Sequence, residues 1–367
     1  MPEKPLRIAL VGAGTLLGKA LNDELAASVF ASADFHLLDD DETAGKLSTA
    51  SDEMTLIQRI EAESFHRCDF TFFAGSRELT KEHWRQALKA GSSIVDLSGE
   101  LEGAPGILVR APWIQDMTAV SESPTVQGTS QLAAPDLQTR AVVSAHPVAV
   151  LLALLTARSQ SSGPIRGVWA TLLHPASEYG HAALEELHQQ TTNLLSFQPL
   201  PTEVFGGQTA FNLAVSFGGE SKVALDTAAD IIQRHYTDIA PTMGDSLALQ
   251  IIQVPVFHGY ALSVAVEFEQ PIAAEALART LAGAHVHVVS NANEFPGNVQ
   301  AVEEDEVQVL VRPVLPHSDK SGTHAPGKQT TTRFWLWIVA DNLKFAAKNA
   351  VACAVELNRL RPRGTVQ

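Results

Sequence analysis

The sequence predicts an α/β protein of two domains, a doubly wound parallel sheet followed by an α+β domain. The first 140 residues alternate short apolar strands with helical patterns, as βαβ units do. The second half instead carries long β-branched runs with fewer helices between them. With 367 residues, 45% of them hydrophobic, the chain is long enough for two separate cores.

The first elements are a strand, a glycine-rich turn and a helix, in the string RIALVGAGTLLGKAL at residues 7–21. Glycine lets a backbone turn sharply and approach a pyrophosphate, and the N-terminus of the following helix supplies N–H donors. This order favours a dinucleotide site, although the spacing G-x-G-x-x-x-G is not the strict G-x-G-x-x-G, and a turn without a ligand is the alternative. The predicted contacts are Gly12, Gly14, Thr15, Leu16, Leu17 and Gly18.

The later elements follow from apolar runs and helical periodicity. The strands predicted in the first half are FHLLD, DFTFFAG, SSIVDLSG, ILVRAP and AVVSAH, and those in the second half lie in IRGVWATLLH, LALQIIQVPVFHGYALSVAVEFE, HVHVV, EVQVLVRPVL and RFWLWIVA. Helices are predicted in VAVLLALLTAR, at 181–195, 222–236 and 273–282, and from Asp341, a natural N-cap, to Leu360. The Pro-, Ser-, Gly- and Thr-rich segment at 316–330 predicts a surface loop.

Composition limits the partners. A net charge of -15 argues against nucleic acid and anionic membranes, which carry the same sign of charge. We find no signal peptide and no membrane-spanning run, so a cytoplasmic location is expected. Two distant cysteines predict neither a disulfide nor a zinc site. His181 and His188 share a helix face, but about 10 Å apart they are too distant for one ion, so no metal is predicted.

Several local strings resemble those of aspartate-semialdehyde dehydrogenases. Besides the glycine turn, they are TAGK at 43–46, FAGS at 73–76, VPVFHG at 254–259, NEFP at 293–296 and WIVADNLKFAAKNA at 337–350. The last string is the most specific of them, and the resemblance spans nearly the whole chain. The strings SEYGHAALEELHQQTTNLL and FGGQTAFNLAVSF are most similar to the Usg-type branch, whose members are often regarded as lacking the dehydrogenase chemistry.

The resemblance implies a domain organisation and a cofactor site. It implies a Rossmann domain of residues 1–145 completed by a C-terminal helix at 341–367, and a substrate and dimerisation domain of residues 146–340. Beyond the glycine turn, the cofactor contacts that it implies are Asp39, Ala74, Gly75, Ser76, Ser177, Gly180 and Asn342.

The resemblance also implies where catalytic groups should lie. The family reaction forms a thioester on a cysteine, with histidine as general base. The matching segments place Ala149 at the cysteine, Tyr260 at the histidine and Gln253 at a substrate-binding arginine. A methyl group forms no thioester, tyrosine with a pKa near ~10 is a poor base, and glutamine makes no bidentate clamp. His146 and His258 are possible substitutes, and strand alternation would place His258 on the face of Tyr260.

Charge next to the predicted nucleotide site favours NAD, or no cofactor, over NADP. Family members that use NADP carry an arginine before the string that matches TAGK, where this chain has Glu42. Glu42 follows Asp39, Asp40 and Asp41. Four carboxylates repel a phosphate but accept hydrogen bonds from a ribose diol.

Two hypotheses of function follow. The first is a catalytically silent family member, a homodimer that binds a nucleotide or small molecule. Its subunits would pair through the second-domain sheet. The run that contains Trp335 and Trp337 has more aromatic and apolar residues than one buried sheet face requires, which a second buried face would explain. The second is an active NAD-dependent oxidoreductase that works on a small semialdehyde-like substrate without a thioester and transfers protons through His146, His258 or Tyr260.

Overall fold

The computed structural model of the protein describes residues 5–40, 45, 47–50, 53–61, 63–114, 134–290, 295–315 and 330–361. The expected loop at 316–330, apart from Thr330, and the acidic residues Asp41 and Glu42 lie outside the described residues. The chain divides into two compact units, residues 1–150 with 343–367 and residues 151–342.

Each helix that the sequence predicts is present in the described residues, and the short helix α7 (Asn298–Ala301) is an addition that was not predicted. The predicted helices at 181–195, 222–236 and 273–282 are α4, α5 and α6, and the predicted terminal helix is α8. In chain order they are α1 (Leu16–Ala26), α2 (Arg77–Lys89), α3 (Pro147–Gln160), α4 (Gly180–Leu195), α5 (Leu225–Ile239), α6 (Ala274–Leu281), α7 (Asn298–Ala301) and α8 (Asn342–Leu360). None of them, in this part of the chain, has the length and apolarity that crossing a bilayer requires.

Most strands likewise follow the predicted apolar runs, and the long run after residue 246 is divided into two strands. In chain order the strands are β1 (Arg7–Val11), β2 (Asp34–Asp39), β3 (Leu47–Ala50), β4 (Glu53–Leu56), β5 (Gln58–Arg59), β6 (Phe70–Phe73), β7 (Ser93–Asp96), β8 (Leu108–Arg110), β9 (Ala141–Ser144), β10 (Ile165–His174), β11 (Leu247–Gln253), β12 (Tyr260–Ala273), β13 (Val286–Val288), β14 (Val307–Pro313) and β15 (Thr330–Ala340). Of these, β3, β4 and β5 lie where no strand was predicted.

The first unit contains the predicted doubly wound parallel sheet. Its seven strands lie in the order β5-β2-β1-β6-β7-β9-β8, and every pair is parallel. One core contains Leu21 of α1 and Ala350 of α8, and a second core contains Ala87 of α2. Because β1 contributes Ile8 to the first core and Ala9 to the second, the two cores lie on opposite faces of the sheet.

The second unit contains the predicted α+β domain. Its six strands form a mixed sheet in the order β11-β10-β12-β15-β14-β13. On one face Leu152 and Leu155 of α3 line a narrow gap with Val264 of β12 and Leu336 of β15. The other face, which we call the open face, carries two tryptophans that are about half exposed, Trp169 and Trp335.

Candidate functional site

In the first unit, two turns approach each other so closely that they require glycine. Gly12 has a φ of +85°, and a Cβ there would lie 2.4 Å from the nitrogen of Gly75. A Cβ on Gly18 would lie 2.0 Å from the carbonyl oxygen of Gly12. Since no side chain fits at these distances, the glycines bring the β1–α1 turn against the β6–α2 turn. We call residues 12–18 with Ala74–Ser76 the nucleotide cradle.

The cradle leaves two backbone donors at the start of α1. The Thr15 hydroxyl caps the helix, accepting from Gly18 N–H at 2.9 Å, and can donate to Gly12 O at 2.8 Å or Ala74 O at 3.0 Å. Leu16 and Leu17 N–H have no intrahelical acceptor, and none is found for them in the described residues. Two free N–H groups at the positive end of a helix fit a pyrophosphate.

Asp39, at the end of β2, is tied to the same turn. It is only 4% exposed, and its carboxylate accepts from Gly14 N–H at 2.7 Å and Asp40 N–H at 2.9 Å. Ser76 caps α2 across the cradle, accepting from Leu79 N–H at 3.2 Å. The structure therefore brings the predicted first-unit cofactor residues together around one pair of turns.

The start of α3 lies in the same unit. His146 precedes the helix, and its Nδ1 lies 3.2 Å from the nitrogen of Val148. In that contact Nδ1 accepts and the ring proton of neutral imidazole is on Nε2. Ala149, at the predicted nucleophile position, is fully buried.

In the second unit, Tyr260 is joined to a carboxylate that the sequence did not single out. Tyr260 begins β12, is fully buried, and donates its hydroxyl proton to Glu178 Oε2 at 2.7 Å. Burial, and after it the charge of Glu178, raises the pKa of the Tyr260 hydroxyl well above its ordinary value. A hydroxyl that holds its proton so firmly cannot act as a general base at neutral pH.

Asn342 connects this pair to two backbone segments. Its amide nitrogen lies 3.1 Å from Ser177 Oγ and 3.3 Å from Glu178 Oε2. Its amide oxygen accepts from Gly259 N–H at 3.0 Å. We call Ser177, Glu178, Gly259, Tyr260 and Asn342 the Tyr260 cluster. The predicted residues Ser177 and Asn342 thus meet, and the predicted Gly180 begins α4 with a φ of +80°.

Gln253, at the predicted arginine position, contacts the backbone. It is fully buried at the end of β11, and its amide nitrogen donates to His174 O at 3.0 Å and Val254 O at 3.2 Å. Its amide oxygen accepts no hydrogen bond from any described residue. These contacts turn the side-chain donors of Gln253 toward protein carbonyls.

The expectation for His258 depended on strand alternation that the structure does not show at this position. We expected strand alternation to place it on the face of Tyr260. The strand begins only at Tyr260, and Gly259 between the two residues has a φ of +84°. A left-handed residue interrupts the alternation on which that expectation depended. His258 is half-buried in the turn before β12, where its carbonyl accepts from Asn298 Nδ2 at 3.2 Å.

A buried carboxylate of the second unit, also missed from sequence, holds a loop. Glu186 of α4 accepts from Val204 N–H at 2.6 Å and from Phe205 N–H at 3.0 Å. One turn later, Gln190 Oε1 accepts from Thr209 N–H at 2.7 Å. Both residues appear in a helical string, and nothing local distinguishes them from solvated polar residues. Their burial depends on where the loop docks.

In the described part of the chain, the cysteines are buried and the histidines form no metal-ligand group. Cys68 and Cys353 are both buried, and burial raises the pKa of the Cys68 thiol to about 11 and also raises that of Cys353. His181, Glu185 and His188 line an open cleft on α4 beside Phe257. A search of the described residues finds no group of three ligands that could hold a metal ion.

The fold and the cradle define a class of protein, the two-domain α/β proteins that combine a parallel sheet of the nucleotide-binding type with a separate mixed-sheet domain. Comparison with known families identifies the family within this class. Residues 7–144 match the model of the semialdehyde dehydrogenase NAD binding domain, and residues 158–321 match that of the semialdehyde dehydrogenase dimerisation domain. The chain belongs to the semialdehyde dehydrogenase family.

Its relatives include proteins of the branch that the sequence indicated. A USG-1 protein homolog from Pseudomonas aeruginosa is 29% identical, the match covering 95% of this chain and 96% of the relative. One from Azotobacter vinelandii is 30% identical over the same shares. The structure of a probable aspartate-semialdehyde dehydrogenase from P. aeruginosa superposes with a TM-score of 0.76 at 27% identity, covering 98% of this chain and 99% of that one.

Proposed function

We propose that this protein is a semialdehyde dehydrogenase homologue that has lost the phosphorylating dehydrogenase reaction and acts as a dimeric nucleotide-binding protein. The observation that carries the proposal is the hydrogen bond from Tyr260 to Glu178 at the position of the family's base. The proposal assigns nucleotide binding to residues 1–145 with 341–367 and dimerisation to residues 146–340. A cytoplasmic location is part of the same proposal.

Three functional groups that the reaction needs are replaced. Ala149 carries no nucleophile, and both thiols of the chain are buried elsewhere in the first unit. Tyr260 keeps its proton, and the amide donors of Gln253 are directed at protein carbonyls. A thioester needs a thiolate and a nearby base, so the loss of both removes the covalent step.

The test is a direct assay with aspartate semialdehyde, phosphate and either NAD or NADP. We expect no reduced cofactor above the blank without protein. Phosphate-dependent turnover that disappears in Tyr260→Phe would overturn the proposal. A Lys89→Gln variant, altered on the surface at the end of α2, serves as the matched control for preparation-dependent activity.

The nucleotide we propose is NAD. The cradle would hold its pyrophosphate at Leu16 and Leu17 N–H, and Asp39 lies at the end of β2, where a ribose diol is bound in this fold. Bound NAD would supply a hydride acceptor. Calorimetric titration should show binding of NAD that is tighter than that of NADP, since Asp39 and the exposed Asp40 repel a 2′-phosphate. Tighter binding of NADP would contradict the charge argument.

The homodimer we propose forms through the open face. Trp169, Ala265 and Trp335 lie in one row across β10, β12 and β15, and the two tryptophans are 48% and 49% exposed. Aromatic side chains on a flat open sheet are typical of an interface between copies. Sedimentation of the wild-type protein should give a dimer, and Trp335→Glu should dissociate it. A monomer at all concentrations would refute the dimer.

One observation favours a second candidate, an NAD-dependent oxidoreductase without a thioester. The Tyr260 hydroxyl lies 2.7 Å from a carboxylate, and a hydroxyl so placed can donate a proton to a substrate oxygen. The raised pKa of Tyr260 makes it a weak acid at neutral pH, so this candidate ranks second. Oxidation of NADH by small aldehydes, abolished in Tyr260→Phe, would favour it over the silent homologue.

A further inference from the structure

Exposed apolar side chains continue beyond β11, the edge strand of the mixed sheet. Leu213 is 66% exposed and Val215 is 55% exposed. Between them, Ala214 forms an antiparallel bridge with Gln253, the last residue of β11. Gln253 N–H donates to Ala214 O at 2.8 Å, and Ala214 N–H donates to Gln253 O at 3.1 Å. Two backbone hydrogen bonds therefore fix this short segment to the edge of the sheet.

The bridge determines which face the segment extends. Directly opposed residues of an antiparallel pair share a face, and their chain neighbours lie on the other one. Ala214 shares the buried face of Gln253, so Leu213 and Val215 lie on the opposite side. The register of β10 with β11 places Trp169 on that side as well. Leu213 and Val215 therefore extend the open face beyond its last strand.

Another exposed apolar side chain rises from the same face. The short helix α7 packs on the open face, because its Ala301 belongs to one apolar cluster with Ala261 and Val339 of the sheet. Trp337 Nε1 also donates to Pro296 O at 2.7 Å, which holds the approach to α7 against β15. Val299 of α7 is nevertheless 72% exposed. Several exposed apolar side chains on one side of a sheet are characteristic of a protein interface.

We propose that Leu213 and Val215 contact a second copy of this chain and extend the dimer interface beyond the edge strand. The inference rests on the proposed homodimer through the open face. A second copy is the occupant that the geometry favours, because the segment lies on the same side of the sheet as the open face through which the homodimer is proposed to form. We call Leu213–Val215 the edge segment.

The first experiment measures the dimer dissociation constant by sedimentation. Leu213→Glu places a charge in the interface and should raise the constant by about tenfold or more. Leu195→Glu is the matched control, since Leu195 is 71% exposed in the same unit at the end of α4 and should leave the constant within about twofold. The dissociation constant of Trp335→Glu measures the contribution of the open face separately from that of the edge segment.

A second experiment avoids any loss of folding. The chain has only two cysteines, both buried, so Leu213→Cys introduces the most accessible thiol. Its alkylation should be slow at concentrations where the dimer forms and fast after dilution, whereas the thiol of Leu195→Cys should react fast at both. The substitution is small and apolar, and the exposed position tolerates it.

The outcomes separate the two proposals. If the wild-type protein is a monomer, the homodimer itself fails. If Trp335→Glu dissociates the dimer while Leu213→Glu does not, and the thiol of Leu213→Cys reacts at one rate throughout, the dimer stands and the edge segment lies outside it. Protection of Leu213→Cys together with weakening by Leu213→Glu supports the inference.

Discussion

The nucleotide cradle of the first unit and the Tyr260 cluster of the second unit are built from different kinds of contact. The cradle depends on backbone: Gly12 lies against Gly75, and Leu16 and Leu17 offer N–H groups. The cluster depends on side chains that meet across 82 to 165 residues of sequence, such as Tyr260 with Glu178.

Backbone contacts and side-chain contacts differ in how readily they change as the sequences of a family diverge. A backbone cradle tolerates few substitutions, because a single Cβ at Gly12 or Gly18 collides with backbone. A side-chain cluster can change its chemistry when its members change together, provided that every buried polar atom keeps a partner. Under the proposed function, the first unit retained its binding geometry while the second unit exchanged a base for a Tyr–Glu pair.

The largest expected effect is on the cradle. Gly12→Ala places a Cβ 2.4 Å from Gly75 N at a φ of +85°, so it should reduce the free energy of unfolding by about 3 kcal/mol or more and abolish nucleotide binding. Urea unfolding and calorimetry with NAD measure both. Gly103→Ala is the control: its φ is +75° with no atom within 4 Å, and it should cost only about 1 kcal/mol. Equal losses in the two variants would mean that strain, not close packing, limits the cradle.

The next effect concerns the loop that Glu186 of the second unit holds. The Glu186 carboxylate accepts from two backbone N–H groups, and in Glu186→Gln the amide NH₂ group would face one of those donors. The substitution should therefore lower the free energy of unfolding by about 2 kcal/mol. The adjacent Glu185 is partly exposed and accepts from Gln189 at 2.6 Å, so Glu185→Gln should cost about 0.5 kcal/mol or less. Chymotrypsin should cleave faster at Phe211, which is 67% exposed, only in Glu186→Gln.

An intermediate effect depends on pH. All three tyrosines of the chain, Tyr179, Tyr236 and Tyr260, lie in the second unit, and burial raises the pKa of each. Below pH 10, the ordinary pKa of tyrosine, folded and unfolded chains both hold these protons and the stabilisation is complete. Above it only the unfolded chain releases them, so the free energy of unfolding should fall by at most about 1.4 kcal/mol per pH unit for each tyrosine.

Absorbance titration of tyrosinate tests this directly. The signal should rise only as the second unit unfolds, and Tyr260→Phe should make the decline in stability with pH shallower. Tyrosinate that forms near pH 10 while the near-ultraviolet circular dichroism remains native would show that these hydroxyls are not held as the structure describes.

The glycine turn of the cradle was predictable from sequence, whereas for the Tyr260 cluster the sequence singled out Ser177, Tyr260 and Asn342 but not Glu178 or the contacts that join them. The turn from Gly12 to Gly18 is contiguous, and glycine has so few uses after a buried strand that its position alone indicates a close approach. The parallel sheet followed from alternating patterns for the same local reason. Glu178 and Glu186 both lie in the string SEYGHAALEELHQQTTNLL. The periodicity of that string does not show which distant hydroxyl or loop each carboxylate contacts. Local patterns also could not show that Gly259 adopts a φ of +84° at a point where a Cβ would lie 2.7 Å from the carbonyl oxygen of Asn298.

The smallest effect separates helix capping from binding within the cradle. Thr15→Ala removes a hydroxyl that caps α1 and lies within hydrogen-bond distance of Ala74 O in the second turn, so it should cost about 1 kcal/mol and weaken NAD binding by about fivefold. Thr15→Ser keeps the hydroxyl and should restore both. Ser76→Ala removes the cap of α2 alone, so urea unfolding should show a similar loss of stability while calorimetry shows a smaller loss of affinity. If Thr15→Ala loses stability and keeps full affinity, the hydroxyl only caps the helix, and the glycines alone hold the two turns at the distance that a pyrophosphate requires.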